Sequence, residues 1–190
     1  MSEAVMPMKF QSIARSPVDL ALMTSIVVSS ALLAGAHIFE ALGYQPCGLC
    51  LDQREAHWAA AGVAAAGLIA SRLVKAGIAA TAAVGATAFV YALSAGLAFF
   101  HTGVEFSYWP AFGCDASMIG DGMDVGEFAA ALDSATPVAE CTNAQWRLFD
   151  ISMAGYNFLA STGLFALCAG AALATTRRLR NDGEAGVHDG

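Results

Sequence analysis

Four stretches of the chain carry no Asp, Glu, Lys or Arg: Leu20 to Phe39, Ala56 to Ser71, Ala76 to His101, and Ile151 to Thr176. A helix crossing a bilayer needs about 20 mostly apolar residues. The first, third and fourth stretches meet that length. The second is short, and becomes long enough only if its helix starts in the charged turn Asp52 to Glu55. The pattern predicts four membrane helices, at about 18–39, 52–71, 76–100 and 149–176. Two loops on one side of the membrane follow, 40–51 and 102–148. A short segment, 1–17, precedes this domain of 18–176, and a tail, 177–190, follows it. The second loop is rich in Gly, Asp and Ala and too poor in apolar residues for a core of its own. The expected fold is therefore all-α, an integral membrane four-helix bundle in one domain.

Composition supports this placement. Hydrophobic residues make up 57% of the chain and charged ones 13%, too few charges for a soluble domain of 190 residues. The net charge of −7 argues against a nucleic-acid partner.

The nine basic residues orient the bundle. Lys9 and Arg15 precede the first stretch. Arg72 and Lys75 lie between the second and third. Arg177, Arg178 and Arg180 follow the fourth. With four spans these seven share one side, which the positive-inside rule makes cytoplasmic. Both termini are then cytoplasmic, and Arg54 and Arg147 lie outside. A cleaved signal ending near Ala34-Gly35-Ala36 would leave three spans, but the apolar run is longer than a signal's core. Four of the five cysteines fall in the outer loops, where disulfides form. Charge bias and cysteine placement agree.

Cys47-Gly48-Leu49-Cys50 is a C-x-x-C. Its ring is too small for a disulfide there to stabilise the fold much. Such pairs carry redox chemistry or bind metal. Pro46 biases Gln45 toward extended backbone. Cys50 falls at or just before a helix start, where the dipole favours a thiolate. Arg54 lies one turn further along that face. It is read either as a support for that thiolate or as a snorkelling side chain balanced by Asp52 or Glu55. Zinc wants four ligands, and the nearest additional candidates are His57 and the other loop's cysteines, so no metal site is expected.

Cys114 and Cys141 bracket an acidic stretch with Asp115, Asp121, Asp124, Glu127, Asp133 and Glu140 on or between them. Asp124 to Ser134 reads as a short amphipathic helix with a capping pair, Asp124 and Glu127. A bridge between these cysteines would be a staple or a shuttle. His101 ends the third stretch at the outer boundary, level with Cys50 and Arg54. His37 ends the first on the same side, which leaves a bis-His haem open. Trp58 is read as a pocket wall or an interfacial-belt Trp. Cys168 is read as a small helix- or lipid-facing residue.

Pro46-Cys47-x-x-Cys50 with Arg54, Phe100-His101-Thr102, Cys114-Asp115, and Cys141 followed by Gln145-Trp146 occur in this order and on consistent sides. The set resembles the disulfide bond formation protein B (DsbB) family over nearly the whole chain, helix one to helix four. The resemblance implies a membrane protein-disulfide oxidoreductase of the bacterial inner membrane, with its cysteines on the periplasmic side. It would reoxidise a periplasmic thioredoxin-fold thiol oxidase of the DsbA type and pass the electrons to ubiquinone or menaquinone in the quinone pool. It implies that Cys114 exchanges with the partner and Cys141 is its companion. Cys47 and Cys50 receive the electrons, Cys50 facing the quinone with Arg54 and His101 beside it. A transient bridge is expected between Cys47 and Cys141. Gln53 departs from the acidic residue that family members carry beside the arginine. Ala154 and Tyr156 replace a Pro and a Trp at the start of helix four. These departures bear on loop geometry and on the choice of quinone. The competing readings are a four-span scaffold stapled by disulfides and the haem protein.

Overall fold

The computed structural model describes residues 17–73, 77–111 and 140–188. Cys114, the segment Asp124–Ser134, Lys9, Arg15 and Lys75 lie outside these. Among the described residues four helices form the fold: α1 (Pro17–Ala41), α2 (Gly48–Leu73), α3 (Gly77–Glu105) and α4 (Met153–His188). A short hairpin precedes α4, with β1 (Arg147–Leu148) paired antiparallel to β2 (Ile151–Ser152). α1, α3 and α4 are long and apolar enough to cross a membrane. α2 does not meet that measure: Asp52, Arg54 and Glu55 charge its first turns, and the rest is mostly alanine and glycine with His57 and Arg72. The architecture is an all-helical membrane bundle.

The bundle buries several polar side chains among its apolar core and turns large apolar ones outward. Ser25, Ser29, Gln53, His57, Thr87, Ser94, His101 and Ser161 are buried, whereas Val27, Ile38, Ile69, Phe89, Leu93, Phe99, Leu159 and Leu173 are exposed. Water would penalise that apolar exterior, and lipid does not. Helices approach closely through small residues. A Cβ added at Gly67 of α2 would stand 2.5 Å from the Ala83 Cβ of α3, so only glycine fits. Leu22, Ala64, Val84, Tyr91, Leu164 and Cys168 fill the centre of this packing.

The ends that build the site are sharply terminated. α1 stops in a Schellman motif: Tyr44 N–H donates to Phe39 O, Gly43 N–H to Glu40 O, and Gly43 takes φ +99°. The Phe39 and Tyr44 rings then pack edge to face, 5.5 Å between centroids. α3 stops the same way, with Ser107 at φ 57° and Tyr108 N–H bonded to Gly103 O. Trp109 folds back over Gly103 and donates from Nε1 to Phe100 O at 2.7 Å. The hairpin turns on Phe149 and Asp150, both at positive φ, as a two-residue type I′ turn requires. Ser152 caps α4 by accepting from Gly155 N–H at 3.1 Å.

α2 begins four residues before the expected 52, at Gly48. The reason is a cap. The Cys47 carbonyl accepts the first helical bond, from Leu51 N–H at 3.1 Å, and the Cys47 sulfur accepts from Cys50 N–H at 3.3 Å. A thiol sulfur does here what a serine oxygen usually does at this position. α3 likewise runs past 100 to Glu105, which carries His101 inside its last turns.

Candidate redox site

Cys47 and Cys50 stand together at the start of α2, their sulfurs 2.7 Å apart. Cys47 is buried at 3% exposure and Cys50 is half-buried, so the two sulfurs face different surroundings. Cys47 is the cap of α2, and the Cys50 thiol, expected to be the one favoured as a thiolate, is lowered from its ordinary value, first by its hydrogen bond with Cys47 and to a lesser degree by Arg54. The hydrogen bond with Cys50, followed by burial, pushes the Cys47 thiol well above its ordinary 9.0. Cys47 is therefore the protonated partner of the pair.

The second loop comes back onto the first. The Cys47 sulfur, the Cys141 sulfur and a ring nitrogen of His101 all lie within 4.8 Å of one another, and all three residues are buried. Cys141 is disulfide-bonded, while Cys47, Cys50 and Cys168 are free thiols. A disulfide sulfur is no thiolate ligand, so the trio is not a metal site in this state. Gln145 Nε2 donates to Gln45 O at 2.9 Å. Trp146 packs on Phe39, 5.2 Å between centroids. In the sequence Gln145 and Trp146 were only flanking residues. In the fold they clamp the Cys141 segment onto the Cys47 loop.

Arg54 reaches across to α1. It donates to Glu40 Oε2 at 2.5 Å and to Ala36 O at 3.2 Å. Its partner is thus neither Asp52 nor Glu55, the acids expected from sequence. Glu40 is brought there by the Schellman end of α1. Cys50, Arg54 and His57 line a cavity of ≈ 440 Å³ between the helices, whose walls include Leu32, Leu33 and Phe39. Trp58 is exposed and outside this lining, which favours the belt reading. Cys168 packs in the bundle centre against Ser25 Oγ at 3.3 Å, apart from Cys47, Cys50 and Cys141.

His101 is buried beside Cys47, with Nε2 3.6 Å from the Cys47 sulfur. Its Nδ1 receives Gln53 Nε2 at 2.9 Å. Both nitrogens are engaged, and His37 is exposed beside Glu40, an arrangement unlike a bis-His haem pair. Sequence reading missed Glu105, one turn past His101. Its side chain is 3% exposed, its Oε1 lies 3.9 Å from His101 Nε2 and its Oε2 lies 3.9 Å from Arg147. The available signal was an acid placed i+4 from a boundary histidine. Gln53, His57 and Asn157 were also missed as a group, because they come from two helices.

The profile of the family described as disulfide bond formation protein DsbB matches residues 19–171, most of the chain. The chain belongs to the DsbB family. Neither a curated protein nor a solved structure matches it. DsbB membership gives the chain a membrane role in disulfide bond formation, and thiol oxidoreductase chemistry with it. Three apolar helices long enough to span a bilayer agree with a multi-pass DsbB protein.

Proposed function

We propose that this DsbB-family protein oxidises a periplasmic DsbA-like thiol oxidase and delivers the electrons to a membrane quinone, ubiquinone or menaquinone, through two cysteine pairs. The observation that carries the reading is the meeting of the Cys47 and Cys141 sulfurs within 4.8 Å, beside a cavity lined by Cys50 and Arg54. The pair with Cys141 belongs to a loop, where a water-soluble donor would meet it, and the Cys47 pair would border the lipid phase.

The relay balances as thiol–disulfide exchange. The donor's dithiol reduces the Cys114–Cys141 disulfide and becomes a disulfide itself. The Cys141 thiolate then attacks Cys47 of the Cys47–Cys50 disulfide. The Cys141–Cys47 bond forms and Cys50 leaves as a thiolate. The Cys114 thiolate next attacks Cys141, and Cys47 leaves with the electron pair. Closing Cys47 and Cys50 again releases two electrons and two protons, the number a quinone takes up in becoming a quinol.

The cavity suits a quinone ring. Leu32, Leu33 and Phe39 supply apolar walls, and Cys50, Arg54 and His57 supply polar contacts. Arg54, held by Glu40 and Ala36 O, keeps a fixed cation beside Cys50. It favours Cys50 as a thiolate, and it would hold an anionic acceptor.

The basic residues orient the bundle with both termini in the cytoplasm and the cysteines in the periplasm, in the bacterial inner membrane. α2 then crosses with the others. Its 26 residues reach about 39 Å at about 1.5 Å each. Its charged first turns stand at the outer boundary, outside the uncharged stretch 56–71.

Alkylation trapping in cells tests the reading. Quinone depletion is expected to leave the four outer cysteines reduced. Cysteines that stay fully oxidised would favour a disulfide-stapled scaffold instead.

A further inference from the structure

A buried hydrogen-bond chain runs from the bundle centre to the redox site. Tyr91 Oη lies 2.8 Å from Ser29 Oγ, and Ser29 Oγ lies 3.0 Å from His57 Nδ1. His57 Nε2 meets Asn157 Oδ1 at 2.7 Å, and Asn157 Nδ2 donates to Gln53 Oε1 at 2.6 Å. Gln53 Nε2 reaches His101 Nδ1 at 2.9 Å, and His101 Nε2 faces the Cys47 sulfur at 3.6 Å.

The direction of this chain is fixed at one atom. The amide atom of Gln53 that faces His101 also lies 3.1 Å from the Leu49 carbonyl oxygen. An oxygen there would face another oxygen, so the atom is the NH2 nitrogen, a donor to both. His101 Nδ1 must then accept, and in the neutral ring Nε2 carries the hydrogen. The groups around Nε2 agree. They are the Cys47 sulfur and, at 3.9 Å, Glu105 Oε1, both able to accept. From Ser29 onward each earlier link can donate in the same direction, to His57, Asn157 and Gln53, while the Tyr91 hydroxyl donates to Ser25 O at 3.2 Å.

We infer that Gln53, Asn157 and His57 are positioning residues that lock His101 in the Nε2–H tautomer, so that the ring donates a hydrogen bond to the sulfur of Cys47. The chain holds a tautomer and need not carry a proton. The importance of that donor rests on the relay proposed above. When Cys47 is expelled from its bond with Cys141, its sulfur takes up negative charge. A hydrogen bond to a charged acceptor is then worth about tenfold or more in rate. With the opposite tautomer, a lone pair would face the departing sulfur.

Nitrogen-15 NMR of histidine-labelled, full-length protein in detergent tests this directly. The His101 signals are assigned by their loss in His101→Gln. In the parent protein Nε2 is expected to give the protonated-type resonance and Nδ1 the lone-pair type. Gln53→Glu removes the donor, because a carboxylate only accepts, and the two resonances should exchange positions. Asn157→Asp should cause the same exchange, by turning the Gln53 NH2 toward the new carboxylate; it serves if Gln53→Glu does not fold. An Nδ1–H or doubly protonated ring in the parent at neutral pH overturns the inference. So does an unchanged tautomer in a folded variant. The measurement uses neither donor protein nor quinone, so it stands or fails separately from the relay.

Discussion

The sulfurs of Cys47 and Cys141, which begin and end the long middle of the chain, lie within 4.8 Å of each other. Cys47 is placed by a helix cap and Cys141 by the clamp of Gln145 and Trp146. Cys50, three residues from Cys47, lines the cavity together with Cys47, but of the two only Cys47 belongs to the cluster with Cys141 and His101. The two sulfurs of one C-x-x-C thus face different partners.

That placement predicts which bond is trapped when the inner pair is incomplete. In Cys50→Ala, Cys47 cannot re-form its own disulfide. Peptide mapping under non-reducing conditions should recover a Cys47–Cys141 link as the main cross-loop product. A dominant link from Cys47 to any other cysteine would contradict the geometry.

The two thiols should also differ in reactivity. The Cys50 sulfur and burial push the Cys47 thiol up from 9.0. A raised thiol stays protonated, and unreactive to iodoacetamide, as pH climbs through the ordinary range. In the reduced protein Cys50 should be labelled first at pH 7, and raising the pH to about 9 should not bring Cys47 level with it. Equal labelling rates across that range would count against a shared-proton pair.

Arg54 is expected to serve the quinone half-reaction more than the thiol half. Arg54→Lys replaces a planar fork by a point charge and loses one of the two bonds, to Glu40 or to Ala36 O. The KM for quinone should rise about tenfold, consistent with loss of a charge-assisted hydrogen bond, while oxidation of the donor protein changes little. Equal losses in both half-reactions would remove Arg54 from the acceptor side.

Gly43 tests the scaffold. Its φ of +99° is open to glycine and strained for an L side chain, although space around it is free. Gly43→Val should destabilise the protein by about 1–2 kcal/mol, through backbone strain alone. Because Glu40 sits in the same terminal motif, Arg54 should also lose its fixed partner. A thermal midpoint unchanged from the parent would show that the α1 end tolerates another turn.

Much of this was legible in the sequence. The uncharged stretches marked the helices, since spanning demands length and apolarity together. The charges of Asp52, Arg54 and Glu55 made the second stretch look deficient, and α2 does lack the apolarity of the others. Cys47, Cys50, Arg54 and His101 stood out through the C-x-x-C spacing and the order of motifs that resembles the DsbB family. Their contacts were less readable. Glu40 as partner of Arg54 depends on how α1 ends, and the capping role of Cys47 depends on which residue starts α2. Gln53 and Asn157 are ordinary polar residues until two helices bring them to 2.6 Å. The clamp by Gln145 needs a tertiary contact with Gln45 O that no spacing encodes.

The central claim is that electrons leave a protein dithiol and reach quinone through Cys50. Purified protein, a reduced thioredoxin-fold donor and quinone, mixed without oxygen, test it most directly. One quinol is expected for each donor disulfide formed, and none above background with Cys50→Ala. Undiminished quinol formation in that variant, or donor oxidation by the parent without quinol, would contradict it.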